Sequence, residues 1–311
     1  MVETVRGDYP VSTCPETLSF KAPAKLNLGL RITGRRPDGY HELSSLFWPL
    51  DVYDDISLTG VHHNEQLVED VKLNADWAED APIPSDLPRG NENLVTRAVR
   101  YSGIAADIRL SKRIPIGGGL GGGSSNAGST LRALVQAGWI PSMRAYDLAI
   151  ELGADVPFFL NPRPSWITGI GERQKAIGLA PELLDKLSFV LVLIPTPCST
   201  GEVFKKYKEQ NARFSVLEDN MPEFLTEDAL KKFLLGAAND LTPYAEQICP
   251  DIGTVIDALW QTPALYADMS GSGSTCFAVY PSRSVAIEAA QVIDEKCRSV
   301  RCKSLVARTF R

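Results

Sequence analysis

The sequence is poor in positive charge, in histidine and in long apolar runs. It carries 32 Lys and Arg against 38 Asp and Glu, a formal net charge of −6, so it lacks the basic footprint of a nucleic-acid binder. The three histidines, His41, His62 and His63, do not stand at metal-ligand spacing from one another or from a cysteine. His62 and His63 read as solvated loop residues. The six cysteines (Cys14, Cys198, Cys249, Cys276, Cys297 and Cys302) form no CxxC pair, which argues against a zinc site or a redox dithiol and for reduced, mostly buried thiols in the cytoplasm. No apolar run approaches the ~20 residues of a membrane span. Glu3, Asp8 and Glu16 interrupt an N-terminus that has no apolar core, so neither a signal nor a transit peptide is expected. Residues 1–17 read as a loose extension, and the chain has no internal repeat or low-complexity tract. Composition gives no ground for a membrane or nucleic-acid partner, and a monomer and a homodimer both remain open.

What remains is an ordinary globular composition, 44% hydrophobic and 23% charged over 311 residues, long enough for two domains. Leu26, Leu28, Leu30 and Ile32 alternate with polar or small residues, the pattern of a half-buried strand. A period of two then puts Lys25 and Asn27 together on the opposite face. Pro37-Asp38-Gly39 makes a turn, and a second strand is expected over 41–50. Residues 60–92 are polar and read as mostly loop. Helices are expected at 93–101 and 142–152, the second stopped by Gly153 just before Asp155. In the second half, 189–194 reads as a buried strand, 276–280 and 303–307 as further strands, and 285–293 as a helix. Mixed strands and helices of this kind predict an α+β protein of two domains, 1–168 and 169–311.

The strongest local signal is six glycines in seven positions, Gly117-Gly118-Gly119-Leu120-Gly121-Gly122-Gly123, followed by Ser124 and Ser125. Glycine permits positive φ, so successive N–H groups can face one concavity. A helix capped by Ser124 or Ser125 would add its unpaired N–H groups and the positive end of its dipole. Ala127, Leu131, Leu134 and Val135 give that helix an apolar stripe. The bland alternative is a flexible linker, but linkers do not usually run into a capped amphipathic helix. The loop is not a Walker A sequence, since GxxxxGK[ST] is absent. Its GxGxxG match follows Lys112-Arg113-Ile114-Pro115 rather than an apolar strand, against a dinucleotide fold. HRD, DFG and GxSxG are also missing, which removes protein kinases and α/β-hydrolases.

Pro115–Ala127 resembles the phosphate-binding motif of the GHMP kinases. Two more of that family's motifs are present: Pro23-Ala24-Lys25-Leu26-Asn27-Leu28 near the start, and Ser270-Gly271-Ser272-Gly273-Ser274 late in the chain. Asp38-Gly39-Tyr40-His41 and Gly153-Ala154-Asp155-Val156-Pro157 narrow the likeness to the branch whose substrate carries a cytidine diphosphate group, in the non-mevalonate route to isoprenoid precursors. The resemblance implies a ribosomal S5 domain 2-like first domain that binds ATP and a ferredoxin-like second domain that binds substrate. It implies catalysis by Lys25 and Asp155 with ATP and Mg²⁺, without naming any protein ligand for the metal. Pro115, Ile116, the loop Gly117–Gly123, Ser124 and Ser125 would hold the phosphates, and Asn93 and Lys112 would line the adenine end. Asn27, Tyr40, His41, Thr200 and Phe204 would meet the small-molecule substrate. Gly128 stands where the family usually has alanine, and by helix propensity alone costs about 1 kcal/mol. Asn239-Asp240-Leu241 also recurs in the family, without an evident role. The competing readings are another GHMP kinase acting on a sugar, homoserine or a mevalonate derivative, a non-catalytic nucleotide sensor on the same fold, and an RNA-binding module.

Overall fold

The computed structural model describes residues 17–63, 71–210, 213–216 and 223–311. Of the expected N-terminal extension only Thr17 is among them, and it begins a strand; residues 1–16 lie outside the described residues.

The first sheet joins β1 (Thr17–Arg35), β2 (His41–His63), β3 (Lys72–Trp77), β4 (Ile104–Lys112), β5 (Ser165–Gly169) and β6 (Arg173–Ala176). β2 is far longer than expected: β1 pairs along almost its whole length, while β5 pairs with its start and β4 with its end. His62 and His63 are therefore paired strand residues, not loop. β3 lies inside the stretch read as loop. Its period of two, with Leu73, Ala75 and Trp77 more buried than Lys72, Asn74 and Asp76, is hidden by the polar composition around it. β5 and β6 continue this sheet to Ala176, beyond the expected boundary at 168.

One face of the sheet carries α1 (Leu94–Tyr101), α2 (Gly122–Gln136) and α3 (Ser142–Leu152), packed through Ile56, Leu58, Ile108, Leu131 and Leu134. The other meets the second sheet. After β7 (Gly178–Leu179) and α4 (Pro181–Lys186), the chain enters β8 (Ser188–Leu193). It then passes α5 (Thr200–Glu209), β9 (Glu223–Phe224), α6 (Glu227–Gly236), α7 (Thr242–Ala245) and α8 (Asp251–Trp260). β10 (Tyr266–Met269), β11 (Cys276–Tyr280), α9 (Arg283–Lys296) and β12 (Lys303–Arg308) finish it. The sheet order β10-β11-β8-β12, all antiparallel, is the ferredoxin-like arrangement. β8 is buried throughout, and apolar from Phe189 to Leu193, because both faces are covered. Phe189, Leu191 and Leu193 meet Leu26, Leu28 and Trp48 of the first sheet, while Val190 and Val192 meet α8 and α9.

β1 is consequently not half-exposed: residues 22–30 are buried on both faces. Its four-residue apolar face also divides. A bulge between Leu28 and Leu30 sends Leu26 and Leu28 to the core between the sheets, and Leu30 and Ile32 to the core around α8.

Candidate active site

Lys25 and Asn27 do share a face of β1, as the period of two requires, and that face looks into a cavity of about 660 Å³. Lys25 is 4% exposed. Its Nζ donates to Asn27 Oδ1 and lies 3.4 Å from Asp155 Oδ2 and 4.6 Å from the centre of the Phe47 ring. Asn27 is oriented in turn: its amide donates to Ser45 Oγ (3.0 Å), and Ser45 donates to the Gly29 carbonyl (2.6 Å). A buried polar group is costly unless it is paired, and Asp155 and Asn27 are the partners of this one. Asp155 follows the end of α3, where Gly153 closes the last turn.

The glycine loop runs from β4 into α2. Helix α2 begins at Gly122, earlier than expected, and its N-cap is Gly121 in the left-handed region, not Ser124 or Ser125. Ser125 lies inside the helix and donates to the Pro23 carbonyl at 2.6 Å, joining the loop to the start of the Lys25 segment. The loop carbonyls are held from the second domain: Ser270 Oγ donates to Gly119 O (3.0 Å), and Thr275 N to Gly118 O (3.3 Å). Ser270 Oγ also accepts from Asn27 N at 3.2 Å. Gly119 cannot be replaced without moving one of these segments, because a Cβ there would lie 2.0 Å from the Ser270 carbonyl oxygen.

Beneath the loop is a network that sequence reading missed. Asp54, fully buried, accepts from Lys112 Nζ, from Asn126 Nδ2 (2.7 Å), and from the backbone N–H groups of Arg113 (2.7 Å) and Ile114 (2.9 Å). Lys112 also donates to Asn126 Oδ1 at 3.1 Å. The available signal was parity, since Asp54 occupies the same strand face as the buried Ile56 and Leu58. Asn239 also gains a role. Its side chain donates to the carbonyls of Met269 (2.9 Å) and Gly271 (2.8 Å), holding the serine-glycine turn that clamps the loop. Asp240 binds Arg31 (3.1 Å) and the Ile32 N–H (2.8 Å), fastening β1 to the second domain.

The other sequence candidates line the same cavity. Tyr40, His41, Asn93, Lys112, Pro115, Ile116, Ser124, Thr200 and Phe204 all border it, as do the loop glycines 117, 118, 119, 121, 122 and 123. Leu120 and Ser125 do not; Leu120 is core. Asn93 caps α1, accepting from the Val95 N–H at 3.0 Å. The His41 ring stacks on Phe204 with centroids 4.9 Å apart and meets Tyr207 edge-on. Burial, then Arg35 and Lys208, lower the imidazole pKa. Tyr40 is 60% exposed, and Thr200 Oγ1 lies 2.8 Å from Ser272 Oγ. The cations around the cavity are largely neutralised: Arg113 pairs with Asp55 and Asp80, Arg36 with Glu42 and Glu172, and Lys112 with Asp54.

Residues 93–162 match the profile described as "GHMP kinases N terminal domain", and residues 223–299 the one described as "GHMP kinases C terminal". A protein of Ruegeria pomeroyi named 4-diphosphocytidyl-2-C-methyl-D-erythritol kinase is 38% identical over 84% of this chain and 88% of its own length. The chain belongs to the 4-diphosphocytidyl-2-C-methyl-D-erythritol kinases of the GHMP kinase family. A second relative of that name, from Syntrophotalea carbinolica, is 36% identical over 89% of this chain and 95% of its own. Among solved structures, a 4-(cytidine 5'-diphospho)-2C-methyl-D-erythritol kinase aligns with a TM-score of 0.65 and 30% identity over 94% of this chain and all of its own. Homoserine kinase from Cytophaga hutchinsonii aligns with a TM-score of 0.59 at 15% identity over 97% of this chain and 96% of its own, a likeness of fold alone.

Proposed function

We propose that the chain transfers the γ-phosphoryl group of ATP to the 2-hydroxyl of 4-diphosphocytidyl-2-C-methyl-D-erythritol, in non-mevalonate isoprenoid precursor biosynthesis. The observation that carries this reading is the meeting of Lys25 and Asp155, 3.4 Å apart, in one cavity with the glycine loop and the Tyr40, His41 and Phe204 rings. Phosphoryl transfer needs alignment and charge neutralisation more than covalent help. The loop N–H groups and the start of α2 bind the triphosphate. Asp155 accepts the proton of the attacking hydroxyl, and Lys25 pairs with Asp155 and offsets charge on the transferring group. Asn93 and Lys112 sit at the adenine end. Asn27, Tyr40, His41, Thr200 and Phe204 hold the substrate, whose cytosine ring finds aromatic faces on Tyr40 and Phe204. The first domain thus supplies the nucleotide site and the catalytic pair, and the second closes over the substrate.

The donor set fits Mg²⁺ carried in with ATP. Asp155 and Ser124 offer oxygen donors at the cavity wall, and among the described residues no group of three His, Cys, Asp or Glu forms a cage of its own. Mg²⁺ usually takes few protein ligands beside phosphate oxygens and water, and when bound it would neutralise charge on the β- and γ-phosphates. The described cysteines are free thiols, consistent with a cytoplasmic setting. No helix among the described residues is long and apolar enough to cross a membrane.

ADP release with Mg²⁺-ATP and the cytidyl substrate, beside galactose, homoserine and mevalonate, tests the reading. Turnover confined to the cytidyl substrate, and reduced roughly 10²–10⁴-fold in Asp155→Asn with an unchanged melting curve, is the expected result. Preference for another of the four would refute the substrate, and normal turnover in Asp155→Asn would refute the base.

A further inference from the structure

The turn that carries Tyr40 and the turn that carries Asp155 are far apart in sequence, yet a third turn touches both. That third turn, 169–172, joins β5 to β6. On one side it rests on Ala154: a Cβ built at Gly171, whose φ is +128, would come within 3.1 Å of the Ala154 carbonyl oxygen. Ile170, at its tip, lines the cavity with Tyr40, Ala154 and Asp155. On the other side Glu172 Oε1 accepts from Arg36 Nη2 at 3.1 Å. Arg36 is itself the residue that closes the Tyr40 turn, its N–H donating to the Tyr40 carbonyl (2.8 Å) and its carbonyl accepting from the Gly39 N–H (3.0 Å). Its Nε also donates to Glu42 at 3.2 Å.

Glu172 is built for this contact. Its second oxygen accepts from the Ile170 N–H at 2.6 Å, so the carboxylate is fixed by its own turn before it meets Arg36. Only 17% of its side chain is exposed. Arg173 also approaches Glu172 Oε1, at 3.7 Å, but its own side chain is 67% exposed, which makes Arg36 the structured partner. Burial alone would raise the Glu172 carboxyl, yet the backbone N–H donors and Arg36 hold it below the ordinary range. A planar guanidinium reaching two carboxylates at once is a fixed strut, where a lysine would be a flexible one.

We infer that Glu172 is a positioning residue. Through Arg36 it sets the distance between the Tyr40 turn, which meets the cytosine end of the substrate, and the Ala154-Asp155 turn, which meets the reacting hydroxyl. Binding at one end is thereby registered to alignment at the other, a task in which a displacement of about 1 Å can cost as much as 10²-fold in rate. The inference rests on the cytidyl-substrate reading proposed above.

The test is a double-mutant cycle of Glu172→Gln, Arg36→Gln and both together, with KM for each substrate, kcat and the melting temperature read for every protein. Glu172→Gln keeps one acceptor, for the Ile170 N–H, and replaces the oxygen that faces Arg36 with an uncharged NH2 group that cannot accept. It should raise KM for the cytidyl substrate about tenfold and lower kcat about tenfold, with KM for ATP within about twofold of wild type. Arg36→Gln should do the same, and the double variant should be no worse than either single one. Wild-type kinetics in Glu172→Gln, equal rises in both KM values, or additive losses in the double variant would overturn the inference alone. No wild-type turnover with the cytidyl substrate would overturn both it and the proposed function.

Discussion

Gly128→Ala separates local propensity from packing by the sign of one number. Gly128 lies inside α2. By helix propensity alone, alanine there should stabilise the protein by about 1 kcal/mol. The structure argues the reverse. A Cβ on residue 128 would fall 2.6 Å from Phe159 Cβ and 2.6 Å from the Val156 carbonyl oxygen, neither of which is the free end of a flexible side chain. Phe159 is fully buried, packed edge-on against Phe158, so it has nowhere to retreat. Overpacking at such a contact costs about 1–3 kcal/mol, which more than offsets the helix gain in most of that range. A net loss of up to about 2 kcal/mol should lower the melting temperature by as much as a few degrees in a protein of this size. The displaced segment, 156–159, directly follows Asp155, so the carboxylate proposed as the base moves with it. A shift of about 1 Å lowers kcat by up to 10²-fold, whereas KM for ATP should change little because the glycine loop precedes the contact. Calorimetry and steady-state kinetics on the one variant decide the matter. A Gly128→Ala protein that melts above the parent and turns over normally would refute the packing argument.

Two further substitutions probe the buried polar groups. Asp54→Ala leaves Lys112 desolvated without its carboxylate, and should lose about 3–5 kcal/mol in urea unfolding; a loss below about 1 kcal/mol would mean that the lysine finds another partner. His41, whose imidazole pKa is lowered by burial and then by Arg35 and Lys208, prefers to be neutral in the folded state. The unfolded chain protonates near its ordinary value of about 6.5, so this contribution is fully present above that pH and is lost as pH falls from there through the lower folded value. Melting temperatures at about pH 7.5 and about pH 5.5 should therefore differ more for the parent than for His41→Gln, and equal differences would discard the assignment.

Much of the site was legible because its signals are local. Strand parity alone puts Lys25 beside Asn27, and the glycine run reads as a phosphate cradle before its fold is known. Asn93 and Gly153 punctuate α1 and α3 as their residue types require. What parity could not show is what covers a strand. β1 reads as half-exposed because Lys25 and Asn27 are polar, yet the glycine loop and the second domain seal that face. The loop itself misled in a second way. Ser124 and Ser125 are good caps by type, but Gly121 takes the left-handed position and starts the helix earlier, freeing Ser125 to hold Pro23. β3 was lost because its alternation is shallow and its neighbours are polar.

The contacts that sequence reading missed share one property: each joins partners distant in the chain. Asp54 binds Lys112 and Asn126, Asn239 holds Gly271, Ser270 reaches Gly119, and Glu172 reaches Arg36. Ser270 and Asn239 stand in motifs that the sequence shows, but their partners do not follow from those motifs, and each of the four is polar for a reason supplied from elsewhere in the fold. Buried polar side chains are costly unless satisfied, so an Asp on a core-parity position of a strand is itself a statement that donors will arrive. Asp54 could have been flagged on that ground, with its partners unnamed. Glu172 could not, because its turn is exposed in composition and buried only by contact with Arg36 and Ala154. The chemistry proposed for this cavity is therefore written locally, in the lysine, the aspartate and the glycines. The distances that this proposed chemistry needs are set by long-range pairs, within the first sheet for Asp54 and Glu172 and from the second domain for Ser270 and Asn239, and those are visible only in the folded chain.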